Sequence, residues 1–283
     1  MDGHVIDLPW LLRRLLVSII VRKRSVSSAA AYASVWTERG SPLVVFSQKL
    51  QQAMQAKCST SEIALAMRYG SLSIESTVDV LYKKGIKKIT LVPLYPHFAD
   101  STVTTVIEVF EQIVKKKKLS IDYKVVPPFF DHPAYISALA ESATLSLAKD
   151  FDHLLLSFHG LPERHITLSE CYRAQCIRSS SLLAKSLNLN KSQWSVSFQS
   201  RLGRAKWIEP YTEEVLNSLA QQGVNKLLVM CPAFTADCLE TLEEIGDRGR
   251  ELFLASGGES FQLIPCLNDH PVWVDSLIEI CDI

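Results

Sequence analysis

The sequence predicts an α/β fold with two similar, doubly wound parallel sheets. Three observations lead to this prediction: short strands that are apolar throughout, helical segments between them, and a long internal repeat. Strands without polar alternation are buried on both faces, which is typical of parallel sheets covered by helices. Because crossovers between parallel strands are right-handed, each sheet is expected to be doubly wound.

The strands are predicted from runs rich in Val, Ile and Leu. They are 62–67, 88–94, 121–126, 153–158, 194–199, 225–230 and 261–266. Helices are predicted over 101–116 and 209–223, between consecutive strands.

The internal repeat relates residues 71–93 to residues 209–231 at an offset of 138. Gly85 falls on Gly223, so in both copies a helix ends at glycine and a strand follows. We interpret the match as a duplication that gives two similar domains facing each other across a cleft, where ligands often bind.

The domain boundaries follow from the repeat. Residues 1–128 are expected to form the first domain and residues 129–267 the second, with a C-terminal helix, 268–283, packing back on the first. The second copy opens with strand 153–158. No equivalent strand is found before residue 62, so the first domain is expected to lack its first strand.

Composition excludes several classes of protein. Thirty basic and thirty acidic residues cancel, so we expect no nucleic-acid partner. The seven cysteines are odd in number and form no CxxC pair, which favours reduced thiols in a cytoplasmic protein over a disulfide framework or structural zinc. The apolar run 8–24 is split by Arg13 and Arg14 and is too short to span a bilayer. A core helix is favoured there, and a helix on a membrane surface is the alternative.

His159 stands where the apolar strand 153–158 ends, in the segment 157-SFHGLP-162. In open α/β sheets, ligands collect outside the carboxyl ends of the strands. A neutral imidazole at this edge can accept a proton or bind a metal ion. On the residues alone, a histidine satisfied by neighbouring backbone is an equal alternative.

A second polar feature follows strand 225–230. If the segment 237–247 is α-helical, its carboxylates form one acidic stripe that attracts cations. They are Glu240, Glu243, Glu244 and Asp247. Acidic residues in a first helical turn also complement the helix dipole, which is the alternative. A glutamate facing His159 suggests proton abstraction coupled to metal delivery, and the residues do not select a reaction further.

Three segments resemble the ferrochelatase family: 157–162, 198–212 and 231–245. The resemblance continues through 32–36, 40–43, 67–71 and 92–102, nearly the whole chain from about Tyr32. It implies a chelatase-like fold of two Rossmann-like domains. It also implies a lyase that forms nitrogen–metal bonds, inserting Fe(II) into protoporphyrin IX with release of two protons. Protoporphyrin IX and ferrous iron are then the substrates, and no resident cofactor is expected.

The resemblance also implies roles for individual residues. His159 and Glu240 are the implied catalytic pair, which handles the metal and the pyrrole protons, and Glu244 is implied as a further metal residue. The residues implied at the porphyrin are Tyr95, Gln199, Ser200 and Trp207. From the residues alone, strand-end packing of the aromatic pair and loop capping by the polar pair are the alternatives.

The chain departs from the family pattern at its start. The family implies an opening strand and loop of the type LxNxGTP, which is not found, so a truncated form that binds porphyrin without turnover is one alternative. A chelatase for coproporphyrin or another tetrapyrrole is a second. A [2Fe–2S] cluster is not expected, because Cys171 and Cys176 would supply only two of its four ligands. We expect a cytoplasmic protein, with peripheral contact at the inner membrane left open, and the sequence indicates no oligomeric state.

Overall fold

Two parallel sheets of unequal size form the framework of the chain. The computed structural model describes residues 14, 25–26, 28–163, 166–203 and 205–283. Within them, one sheet has two strands and the other has four, which confirms the predicted α/β class. A membrane-crossing helix, which needs about 20 mostly apolar residues, is absent from this described part of the chain. Apart from Arg14, the apolar run 8–24 lies outside the described residues.

The first half of the chain supplies the small sheet. Its elements are α1 (Pro42–Lys57), α2 (Ile74–Lys83), β1 (Lys88–Leu91), α3 (Thr105–Lys116) and β2 (Asp122–Val125). Strands β1 and β2 pair in parallel. A π-helical turn, Asp100–Thr104, runs directly into α3, and residues 28–35 form a helix ahead of α1.

The second half supplies the large sheet. Its strands are β3 (His153–His159), β4 (Trp194–Gln199), β5 (Lys226–Met230) and β6 (Ser260–Leu263). They are parallel and lie in the order β4-β3-β5-β6. The helices are α4 (Pro133–Leu147), α5 (Ile166–Ser186), α6 (Thr212–Gln221), α7 (Leu239–Ala255) and α8 (Pro271–Cys281). Helix α7 has three consecutive parts: α-helical Leu239–Thr241, π-helical Leu242–Gly249 and α-helical Arg250–Ala255.

The repeat in the sequence recurs in the structure. Helices α2 and α6 begin and end 138 residues apart, and the register of β1 on β2 recurs at the same offset in β5 on β6. Gly85 and Gly223 follow α2 and α6 with φ of +83° and +87°. Glycine adopts this left-handed backbone without steric cost, so both copies end the helix in the same way.

The predicted strand 62–67 is wrong. Residues 62–66 have no ladder partner among the described residues. Two glutamines of α1 satisfy the backbone of Ile63 instead. Gln51 Nε2 donates to its carbonyl at 2.6 Å, and Gln55 Oε1 accepts from its N–H at 2.8 Å. Side chains therefore provide the hydrogen bonds that a neighbouring strand would otherwise provide.

Strand β3 runs through the centre of the core, and its residues 154–158 are fully buried. Helix α8 closes this core against α4 and α1. The ring of Trp273 lies 6.1 Å from that of Tyr135, and Lys57 of α1 pairs with Asp275 of α8. The last helix therefore contacts elements from both halves of the chain.

Candidate functional site

The carboxyl edge of the four-stranded sheet brings several predicted residues together. Strand β3 ends at His159 and β4 at Gln199, and these two residues are register neighbours. Strand β5 ends at Met230 and continues through a loop to Glu240 at the start of α7. Parallel strands end at the same edge of a sheet, so the residues that follow β4, β3 and β5 meet there.

One ring nitrogen of His159 keeps its lone pair. The other, Nδ1, lies 2.6 Å from the carbonyl oxygen of Gly160. A carbonyl oxygen only accepts, so Nδ1 carries the proton and Nε2 is unprotonated in the neutral ring. Nε2 is therefore the atom that can take up a proton or bind a metal ion.

The surroundings of His159 hold it in place. Tyr172 of α5 donates its hydroxyl proton to the His159 carbonyl at 2.9 Å. The rings of Trp207 and Phe234 lie 6.4 Å and 6.3 Å from the imidazole. A side chain on the next residue, Gly160, would place its Cβ 2.9 Å from the Gln199 carbonyl oxygen, so glycine is required for the close approach of β3 and β4.

Gln199, which was predicted at the porphyrin, lies beneath the site. The residue is 3% exposed, and its side-chain Nε2 donates to the carbonyl oxygen of Glu240 at 2.7 Å. Its backbone carbonyl accepts from the Gly160 N–H at 2.8 Å. The two predicted catalytic residues, His159 and Glu240, are therefore both neighbours of Gln199.

Residues of the first half also approach Glu240. Burial raises the pKa of Tyr32, and the nearby Glu240 carboxylate raises it further. Burial likewise raises the pKa of Tyr95, with contributions from Tyr69 and Glu240. Tyr32 was not predicted as a site residue, although it opens the segment 32–36 that carries part of the family resemblance.

Cys238 adjoins Glu240 as a neutral thiol. Burial raises the pKa of Cys238 far above the ordinary value, and the Glu240 carboxylate adds to the effect. A protonated thiol is a poor metal ligand. No three His, Cys, Asp or Glu side chains of the described residues come together as a metal site.

The helix that carries Glu244 is π-helical over Leu242–Gly249, so the acidic stripe expected from α-helical spacing is divided. Glu243 pairs with Arg248, five residues on, with 2.8 Å between Oε1 and Nε. Both carboxylate oxygens of Glu244 accept from Ser200, one from its N–H at 2.7 Å and one from its hydroxyl at 2.6 Å. Glu244 and Ser200, both predicted at the site, therefore tie the end of β4 to α7.

Trp207 lies on the loop after β4 and is partly exposed. Its indole N–H donates to the Leu202 carbonyl at 3.1 Å, which fixes the ring beside His159.

Two shallow surface hollows lie away from this edge of the sheet, one between α4 and α8 and one beside residues 51–63.

The fold is similar to solved chelatase structures. SirB from Bacillus subtilis, solved with Fe³⁺, gives a TM-score of 0.64 at 14% identity, over 86% of this chain and 91% of that one. DR2241 from Deinococcus radiodurans is a multi-domain protein with structural similarity to chelatases. It gives a TM-score of 0.55 at 12% identity, over 83% of this chain and 50% of that one. The expected chelatase-like fold is confirmed.

Sequence similarity extends over the whole chain. The ferrochelatase family model matches residues 1–282. The ferrochelatase of Ectopseudomonas mendocina is 58% identical across 100% of this chain and 89% of that protein. The ferrochelatase of Azotobacter vinelandii is 54% identical over 99% of this chain and 90% of that protein. The chain therefore belongs to the ferrochelatase family.

Proposed function

We propose that the protein inserts ferrous iron into protoporphyrin IX to form protohaem, with release of two protons. In this role it is a lyase that forms nitrogen–metal bonds. The observation that carries the proposal is that His159, whose Nε2 is unprotonated in the neutral ring, and Glu240 are both neighbours of Gln199 at one sheet edge of a ferrochelatase family member.

The chemistry suits this pair of groups. Two pyrrole N–H protons must leave the macrocycle, and an imidazole with a free lone pair can accept a proton. A carboxylate beside it stabilises the positive charge of the iron and of the protonated ring. One imidazole with carboxylates holds iron less tightly than a set of thiolates, so the metal can pass on to the porphyrin. His159, Glu240 and Glu244 are the residues proposed to handle the metal.

Three of the remaining predicted residues are proposed to surround the porphyrin. Tyr95 approaches from the first half, Trp207 stands beside the imidazole, and Ser200 follows β4 at the same edge. Gln199 lies beneath them. In this arrangement the second domain, residues 129–267, carries the reactive pair, and the first, 1–128 with helix 268–283 packed on it, completes the walls.

The proposal places the protein in the cytoplasm, with peripheral contact at the inner membrane as an added proposal that rests on the apolar run 8–24. Iron enters as a substrate, so no resident cofactor is required. Balanced charge, with 30 basic and 30 acidic residues, gives no reason to add a nucleic acid to the partners.

The test is a chelation assay with purified protein. Protoporphyrin IX and ferrous iron, or zinc as a stable substitute, are followed by porphyrin absorbance. We expect His159→Ala to abolish metal insertion and Glu240→Ala to reduce it strongly, while Glu251→Ala, an exposed change on the same helix, leaves the rate unaltered. Intact protein that binds porphyrin without inserting metal would contradict the proposal, and faster turnover of coproporphyrin III would reassign the substrate.

A further inference from the structure

Gln199 has all of its side-chain polar groups engaged inside the protein. Oε1 accepts from the hydroxyl of Ser157 in β3 at 2.8 Å, and Nε2 donates to the carbonyl of Glu240 at 2.7 Å. The Sγ of Cys231, just after β5, lies 3.6 Å from the same Oε1. One amide therefore joins β4 to β3, to the end of β5 and to the start of α7.

The direction of this amide is fixed by its partners. The Glu240 carbonyl can only accept, so the side-chain NH₂ group must face it and the oxygen must face Ser157. The Ser157 hydroxyl is itself held, because Oγ1 of Thr212 lies 3.0 Å away and also contacts Ser197 at 2.9 Å. A buried chain of this kind has one arrangement in which each group is paired.

The same residue holds the other catalytic candidate through its backbone. Its carbonyl accepts from the Gly160 N–H at 2.8 Å, directly after His159. The side chain of one residue therefore fixes the peptide of Glu240, and its main chain fixes the exit of β3. Gln199 is only 3% exposed, which leaves it little surface for direct contact with a porphyrin.

We infer that Gln199 is a positioning residue that sets the distance between the Glu240 carboxylate and the His159 imidazole. The inference rests on the proposed function of that pair. A misplacement of about 1 Å at a reacting group can cost 100-fold in rate. Loss of a partner that orients a metal-handling residue typically costs about 10- to 100-fold.

The test compares Gln199→Met with Gln262→Met. Met fills the volume of glutamine without the amide, and Gln262 is a hydrogen-bonded glutamine of β6 that donates to Ser146. We expect Gln199→Met to lower kcat by about 10- to 100-fold, with an unchanged KM for protoporphyrin. Gln262→Met should leave both constants unaltered. A raised KM with an unchanged kcat would identify a substrate contact and overturn the inference.

A double-mutant cycle adds a second readout. If Gln199 acts through Glu240, Gln199→Met should cost little further rate when Glu240→Ala is already present. Equal costs in the two backgrounds would overturn the inference. Absence of metal insertion by the unmutated protein would instead be a failure of the proposed function. Gln199→Glu is the conservative variant, because a carboxyl group buried here stays protonated and can both accept from Ser157 and donate to the Glu240 carbonyl. It should keep more of the rate than Gln199→Met, and an equal loss in both variants would overturn the inference.

Discussion

The two halves of the chain share a plan and differ in burial. Strands β1 and β5 hold equivalent places in the 138-residue repeat, yet residues 227–230 of β5 are buried and every residue of β1 is at least partly exposed. Strand β5 has a ladder on each side, with β3 and β6, whereas β1 pairs only with β2 within the described residues. The same local pattern therefore gives a buried strand only where both of its edges are paired.

The halves also contribute differently to the site. The buried sheet of the second half supplies the groups proposed for chemistry, His159 and Glu240. The more exposed first half supplies Tyr32 and Tyr95, whose pKa values respond to Glu240. A rigid sheet is suited to fixing reactive groups, and loops from a second unit are suited to forming walls.

The difference in burial can be tested at one equivalent position in each half. Leu227 of β5 is 1% exposed, and its counterpart 138 residues earlier, Ile89 of β1, is only partly buried. We expect Leu227→Ala to reduce the free energy of unfolding by about 2–5 kcal/mol and Ile89→Ala by less than half as much. Urea unfolding of both variants measures this, and equal losses would show that the two sheets are equally packed.

Gly160 tests whether the exit of β3 is as rigid as its contacts indicate. Gly160→Ala would press a Cβ against backbone oxygen at 2.9 Å, whereas Gly246→Ala meets a Leu263 methyl at 3.2 Å that can move. We expect the first to cost about 1–3 kcal/mol of unfolding free energy and the second less. Urea unfolding measures both changes, and a Gly160 variant as stable as the Gly246 variant would contradict a rigid exit.

His97 tests how firmly the first half is attached to the second. Its ring is buried against Phe158 and Tyr172, and its Nε2 lies 2.8 Å from the hydroxyl of Ser179. Burial lowers the pKa of His97 to about 3, from an ordinary value of 6.5. The unfolded chain therefore binds a proton below pH 6.5 that the folded protein does not, and stability is lost as the pH falls through that range.

Between pH 7 and pH 5.5, this group alone should remove about 1.3 kcal/mol of unfolding free energy. The variant His97→Gln can still donate to Ser179 but has no imidazole to protonate. Over the same interval, its free energy of unfolding should fall by about 1.3 kcal/mol less than that of the unmutated protein. Chemical unfolding at the two pH values provides the measurement. Identical pH dependence in both proteins would mean that the His97 ring is reached by water.

The smallest expected effect is at the two glycines that follow α2 and α6, the turn that the halves share most closely. Gly85→Ala and Gly223→Ala each place a Cβ on left-handed backbone, with open space around it. Strain there is partly offset by lower entropy of the unfolded chain, so each should cost about 1 kcal/mol. Thermal unfolding should give the same shift for both variants, and unequal shifts would show that the repeat differs at its turns.

Apolar runs predicted the large sheet well, because strands buried on both faces leave an unbroken signal. Residues 194–199 match β4 in full, and His159 lies at the strand exit where it was expected. The run 62–67 has the same apolar pattern but is not a strand. The backbone N–H and carbonyl of Ile63 are hydrogen-bonded by two glutamines of α1, and no local sequence pattern shows where that helix packs.

The site was predicted less completely, for physical reasons. The π-helix of α7 cannot be read from spacing, since its turns depend on hydrogen bonds that the residue types do not specify. Burial of Gln199 depends on Ser157 and Glu240, which are 42 and 41 residues away. Tyr32 reaches Glu240 only through the packing of the two halves.

The bond from His159 Nδ1 to the Gly160 carbonyl also bears on the timing of catalysis. The bond is made to the adjacent peptide, so it is present whether or not Nε2 is protonated. The imidazole can load and discharge protons at one nitrogen without turning about its χ angles between turnovers. A catalytic cycle at this residue would therefore need no ring-reorientation step to return the imidazole to its starting state.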